Sequence, residues 1–173
     1  MFDPKSIRQE SQGDHAAVYD LIYRAFKQED EAKLVNALRE DAAFVPELSL
    51  VATDSDRIVG HILFTKINIK SDKTQCESLA LAPVSVLPAH QGVGIGGALI
   101  RRGLEEALTL GFKSVILLGH AEYYPRFGFE PAQRWGIKAP FDVPPEVFMA
   151  IELEAGALEN CSGTVQYSAP FGI

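Results

Sequence analysis

Cysteine is scarce in this chain. There are two, Cys76 and Cys161, far apart among 173 residues and without a CxxC spacing. That argues against a disulfide scaffold and against a cysteine metal site, so no metal is expected and a reducing cytoplasm is the natural setting. Basic residues are also in short supply: 16 Lys and Arg face 23 Asp and Glu, a formal net charge of −7. A nucleic-acid binder normally presents a basic face, so no nucleic-acid partner is expected. Long hydrophobic runs are missing. None approaches the ~20 residues of a membrane span, and the opening MFDPKSIRQE has no apolar signal-peptide core. No membrane partner is expected. Repeats, low-complexity tracts and Gly/Ser linkers are absent too. The length then implies one domain over 1–173, with 154–173 as a strand or extension.

What is present is a core. Hydrophobic residues make up 47% of the chain and charged residues 23%, the balance of a globular protein. Residues 5–10 form a short strand candidate. The stripe Ala17, Val18, Leu21, Ile22, Ala25 predicts a helix over 15–26, with Asp14 standing at its N-cap. A second helix is expected over 30–40. Strands at 48–53 and 57–69, joined by the turn Asp54-Ser55-Asp56, read as a hairpin. The apolar run 78–87 (SLALAPVSVL) reads as a central strand covered on both faces. Pro83 lies inside it and cannot donate to a ladder, so one edge there must be unpaired or bulged. A helix follows to about Leu110, stopped by Gly111, and 114–118 (SVILL) is another buried strand. Strand, glycine turn, helix, strand makes one parallel crossover. Further strands are expected near 135–138, 148–153 and 164–167. The expected class is α/β, with antiparallel strands first.

Between the central strand and its helix lies HQGVGIGGAL, residues 90–99. Glycine loses more entropy on ordering than any other residue, and it weakens a first helical turn. The usual return is close approach of bare N–H groups to an anion, most often a phosphate. Gly92 and Gly97 have the spacing of a nucleoside-triphosphate loop, but Ala98 and Leu99 replace its lysine and hydroxyl, which excludes that solution. Gly92-x-Gly94-x-x-Gly97 also matches a dinucleotide fingerprint. The acidic residue that should end the next strand is missing, because that strand runs into Leu118-Gly119-His120.

The third solution carries a resemblance. Gln91-x-x-Gly94-x-Gly96, after Val84-Ser85-Val86-Leu87-Pro88, is similar to the pyrophosphate motif of the GNAT N-acetyltransferases. Tyr124-Pro125-Arg126-Phe127-Gly128-Phe129 resembles the Tyr-x-x-x-Gly-Phe that follows the next strand in that family. The resemblance is firmest over 79–131, and it points to the branch whose substrates are unassigned. It implies a GNAT fold, a mixed and mostly antiparallel sheet splayed between two central parallel strands and flanked by helices. It implies acetyl-CoA as cosubstrate, a small-molecule or peptide amine as acceptor, and a homodimer as one assembly open to relatives. Val84, Ser85 and Val86 would pair with the pantetheine arm, with the Val86 N–H near the thioester oxygen. The loop Gln91, Gly92, Val93, Gly94, Ile95, Gly96, Gly97 would hold the diphosphate. Tyr124 would act as general acid toward the leaving thiolate. Ala80 falls where some relatives carry a glutamate base, which leaves the base unassigned; Glu77, Ser78, His120 and Glu122 are near in sequence. A non-catalytic acyl-CoA-binding module is the rival reading.

Overall fold

A computed structural model describes residues 3 and 6–173. Its contacts fall into two compact units: Met1–Thr65 with Ala82–Glu106, and Lys66–Leu81 with Ala107–Ile173. Two strands and one helix pass from one unit into the other: β3 (Arg57–Lys70), β4 (Gln75–Val86) and α3 (Ile95–Thr109).

The first unit begins with β1 (Ile7–Gln9), α1 (His15–Phe26), α2 (Asp30–Arg39) and β2 (Phe44–Asp54). Of the strand expected over 5–10, residue 5 lies outside the described residues. β1 pairs antiparallel with β2, Ile7 opposite Ala52, and β2 pairs antiparallel with β3, Leu50 opposite Ile62. Val18, Leu21 and Ile22 of α1 and Ala32, Val35 and Leu38 of α2 are buried, which is the helical stripe read from the sequence. Asp14 precedes α1 but makes no side-chain cap. Its carboxylate accepts two bonds from Arg8, at 2.7 and 3.0 Å, and one from the Ser11 N–H. The guanidinium wins because a bidentate ion pair supplies two charge-assisted bonds where a cap would supply one.

Bare backbone lets α3 approach β3. A Cβ on Gly60 would meet Leu99 at 2.9 Å, and one on Gly103 would meet the Phe64 ring at 2.2 Å. Gly111 (φ +93°) ends α3, with Phe112 N–H donating to Ala107 and Gly111 N–H to Leu108. That is the expected glycine stop.

Side chains alternate along a strand, so His61 faces away from the α3 contact made at Gly60. It enters a buried polar network. The Glu10 carboxylate accepts from Arg39 at 3.0 and 2.8 Å and from the Ser49 hydroxyl at 3.2 Å, and Ser49 Oγ lies 3.1 Å from His61 Nε2. Arg39 offsets the Glu10 charge, and His61 stays neutral because full burial pushes its pKa down to about 4. No local spacing marks this network, since its members are spread from residue 10 to residue 61. The sign of its pH dependence follows. A histidine whose folded pKa lies below its unfolded 6.5 binds fewer protons when native, so stability rises with pH between about 4 and 6.5. Acidification from pH 6.5 to 4.5 should cost about 2–3 kcal/mol. Glu10 and Asp14, both held low, lose their contribution only below that window. Thermal melts across pH 4.5–7 should show this slope in the wild type and a flattened one in His61→Gln.

The second unit holds the parallel pair. β4 runs beside β5 (Ser114–Leu118), with Leu79 opposite Val115 and Ala80 opposite Ile116. β5 pairs antiparallel with β8 (Phe148–Glu152), and β8 with β6 (Glu130–Pro131). β9 (Gly163–Gln166) pairs antiparallel with β3 at 68–70, and parallel with β7 (Ile137–Lys138). The sheet is thus mixed and mostly antiparallel, but with a second short parallel pairing that the sequence reading lacked. The strand expected at 135–138 is a 3₁₀ turn, Ala132–Trp135, followed by the two residues of β7. Ile67, Ile116, Phe148 and Leu158 centre the core. Ser78 and Ser114 pair their buried hydroxyls at 2.7 Å, as buried polar groups must.

One expectation is overturned in this unit. Cys76 and Cys161 form a disulfide, with Cα atoms 5.8 Å apart across a sequence separation of 85. Sequence distance concealed the pairing, because β3, β4 and β9 bring the two segments together only in the folded sheet.

Candidate active site

In the first unit the site begins at the end of β4. Ser85 is buried, and Val84 and Val86 are half-buried. The parallel register with β5 consists of the pairs at Leu79 and Ala80, while β4 continues six residues past Ala80. That is the stretch, through Pro83, where the sequence called for an unpaired edge. Ser85 Oγ is buried with no hydrogen-bond partner.

A short 3₁₀ turn, Pro88–His90, leads into the glycines. Gln91 extends its side chain back, and Nε2 donates to the Val86 carbonyl at 3.1 Å, so the first motif residue ties the loop to the strand. Gly92 (φ +80°) and Gly94 (φ +94°) adopt left-handed backbone, which L side chains rarely do. Nothing lies within 4 Å of where either Cβ would stand, so the turn opens outward. Residues 91–94 are exposed, with Val93 54% so. The helix begins one residue later: Ala98 N–H donates to Gly94 O at 3.0 Å. Gly96 and Gly97, read from the sequence as loop, therefore join Ile95 in the first turn of α3. Their N–H groups precede the i−4 ladder, and the macrodipole adds positive character at that end. A left-handed turn, free donors and open space together make an anion cradle.

In the second unit, β5 ends at Leu118 and the chain turns through Gly119 into a 3₁₀ turn, Tyr124–Phe127. A Cβ on Gly119 would stand 2.3 Å from the Tyr124 ring, so this glycine is what lets the ring lie against the strand end. The ring also packs edge-on against Tyr123 at 5.1 Å and Phe129 at 5.9 Å. Gly128 (φ +102°) closes the turn and sends Phe129 into the core. Burial first, and then the neighbouring Tyr123, push the Tyr124 phenol above its usual 10, so it stays protonated at neutral pH. Arg126 lies over the Tyr123 ring at 4.4 Å and donates to the Tyr123 carbonyl, so it braces this turn. His120 and Glu122 are exposed, and Ala80 is buried in the core beside Ile116. No local sequence signal marks Gly119, because its requirement is a contact with a ring five residues on. Among the described residues no cluster of three or more His, Cys, Asp or Glu could hold a metal, and no helix is long and apolar enough to cross a membrane.

Comparison with known proteins gives the class. Residues 6–132 match the family model described as an acetyltransferase (GNAT) domain. The chain belongs to the GNAT N-acetyltransferases, a family of acyltransferases, and has their α/β fold. It is 44% identical over 134 residues to the uncharacterized N-acetyltransferase YjhQ of Escherichia coli strain K12, covering 77% of this chain and 74% of that one. It is 31% identical over 166 residues to the uncharacterized N-acetyltransferase YhbS of the same strain, covering 95% and 97%. The crystal structure of E. coli YhbS in complex with CoA superposes with a TM-score of 0.89 at 30% identity, over 96% of this chain and 91% of that one. A GNAT acetyltransferase from Brucella melitensis in complex with acetyl-CoA gives 0.77 at 34%, over 95% and 96%.

Proposed function

We propose that this chain transfers the acetyl group of acetyl-CoA directly to an amine acceptor, a small molecule or a peptide. The observation that carries the reading is the cradle at the start of α3: two left-handed glycines, exposed and unobstructed, before a helix N-terminus. The CoA diphosphate meets the N–H groups of residues 92–97, and Gln91 holds the loop to β4. The pantetheine amides take Val84, Ser85 and Val86 as strand partners. The complexes that YhbS and the Brucella acetyltransferase form with CoA and acetyl-CoA support this assignment.

The chemistry follows from the thioester. The amine lone pair attacks the carbonyl carbon, a C–N bond forms, and the C–S bond breaks. The amine proton passes to water, and the departing thiolate takes one from Tyr124, which regains its proton from water. A phenol raised above 10 by burial holds that proton until the thiolate develops. No side chain is assigned as base, since Ala80 has no titratable group.

The second reading, acyl-CoA binding without turnover, is favoured by that apolar Ala80. The test is thiol release from acetyl-CoA against a panel of polyamines, aminoglycosides, amino acids and lysine peptides. The proposal expects amine-dependent release with at least one class. Coenzyme A binding with no release across the panel would favour the second reading.

A further inference from the structure

A cavity of about 590 Å³ in the second unit lies between the β3–β4 hairpin and β9. Lys70 and Asp72 form one wall, and Thr164, Gln166 and Tyr167 form the other. The walls meet closely: a Cβ on Gly163 (φ +149°) would lie 2.4 Å from the Lys70 carbonyl oxygen. Cys76 is the second residue of β4, just past the hairpin turn, and Cys161 comes just before β9. Their disulfide therefore fastens one wall of the cavity to the other, and nothing in the proposed acetyl transfer uses it.

We propose that Cys76 and Cys161 are a reversible thiol–disulfide couple that sets the shape of this cavity, so that the second unit responds to the thiol state of its surroundings. The asymmetry of the pair suits exchange. Cys76 is half-buried while Cys161 is 8% exposed, so a small thiolate reaches the Cys76 sulfur first. With glutathione as reductant, its thiolate attacks Cys76 Sγ, the S–S bond breaks, and Cys161 leaves as thiolate and takes a proton. A second glutathione resolves the mixed disulfide, Cys76 takes a proton, and the two electrons end on the protein thiols while oxidised glutathione departs. The freed Cys161 thiol then faces the Ala157 carbonyl at 3.5 Å. The change stays local because Leu158 is 1% exposed and its N–H remains on Glu152 at 2.9 Å. β9 is only four residues long and takes the loosening.

The test equilibrates the full chain in glutathione buffers, from fully reduced to equimolar reduced and oxidised, with acid quench, alkylation and intact mass. Hydrogen exchange at 70–72 and 164–167 and emission of Trp135 are read on the same samples. Trp135 is the only tryptophan in the chain and packs against the core cluster that holds Cys161. The expected result is a pair that passes from dithiol to disulfide across the series, with faster exchange at 164–167 and altered emission in the dithiol form. The melting temperature should drop on the order of 10 °C on reduction. Cys161→Ser should match reduced wild type in both buffers; if it does not fold, chemically reduced wild type supplies the comparison alone. A pair that stays oxidised in fully reduced glutathione, a pair that never oxidises, or an unchanged exchange pattern at 164–167 on reduction would overturn the proposal.

Discussion

Gly94→Glu is expected to reduce coenzyme A affinity by at least 100-fold while leaving the chain folded. Two effects add at this position. The backbone is left-handed at φ +94°, and an L side chain there costs roughly 1–2 kcal/mol, which tilts the first turn of α3 out of line. The carboxylate then sits in the cradle where the diphosphate must go, so attraction to the N–H groups becomes repulsion between like charges. Space is no obstacle, since nothing lies within 4 Å of the new Cβ, and the residue is exposed. Folding should therefore survive. Gly94→Ala separates the effects, because it keeps the strain and omits the charge. Calorimetric titration with coenzyme A should rank the chains wild type, alanine, glutamate in falling affinity. Equal losses in the two variants would show that backbone conformation, not anion binding, is what the glycine supplies.

Tyr124→Phe is expected to lower kcat by about 100-fold or more while the KM for acetyl-CoA changes little, the pattern of a group that acts in the transition state. The substitution removes one oxygen. The ring contacts with Gly119, Tyr123 and Phe129 remain, so stability should hold within about 1 kcal/mol. Steady-state kinetics with the best amine from the panel check this. A kcat within threefold of wild type would remove Tyr124 from the proton transfer and leave it as packing.

The parts of this protein that local sequence carries were legible. The apolar stripes of α1 and α2, the hairpin turn at 54–56 and the stop at Gly111 are each decided by residues a few positions apart. The loop at 90–97 was legible for the same reason, since backbone freedom and helix start are local properties. Its boundary was not: Gly96 and Gly97 join the helix because Gly94 already accepts its first bond. Contacts that close over long sequence distances stayed hidden. Arg39, Ser49 and His61 come from three elements and Glu10 from the residue after β1, and no spacing announces them. Cys76 and Cys161 read as isolated because only β9, docked against the end of β3, brings them together. Gly119 and Gly103 each make room for a ring, and a sequence shows neither the ring's position nor its approach. The C-terminal third was the least legible: its two-residue strands and 3₁₀ turns are too short to impose a period.

The proposed function requires that the glycines at 92–97 answer to a coenzyme A diphosphate. The most direct measurement is the melting temperature of the wild-type chain alone, with coenzyme A, with acetyl-CoA and with NAD, each at about 100 times a micromolar dissociation constant. A ligand bound only by the folded state then adds about 2.7 kcal/mol, several degrees for a chain of this length. Coenzyme A and acetyl-CoA should raise the melting temperature, and NAD should not. A rise with NAD alone, or with none of the three, would contradict the proposed function.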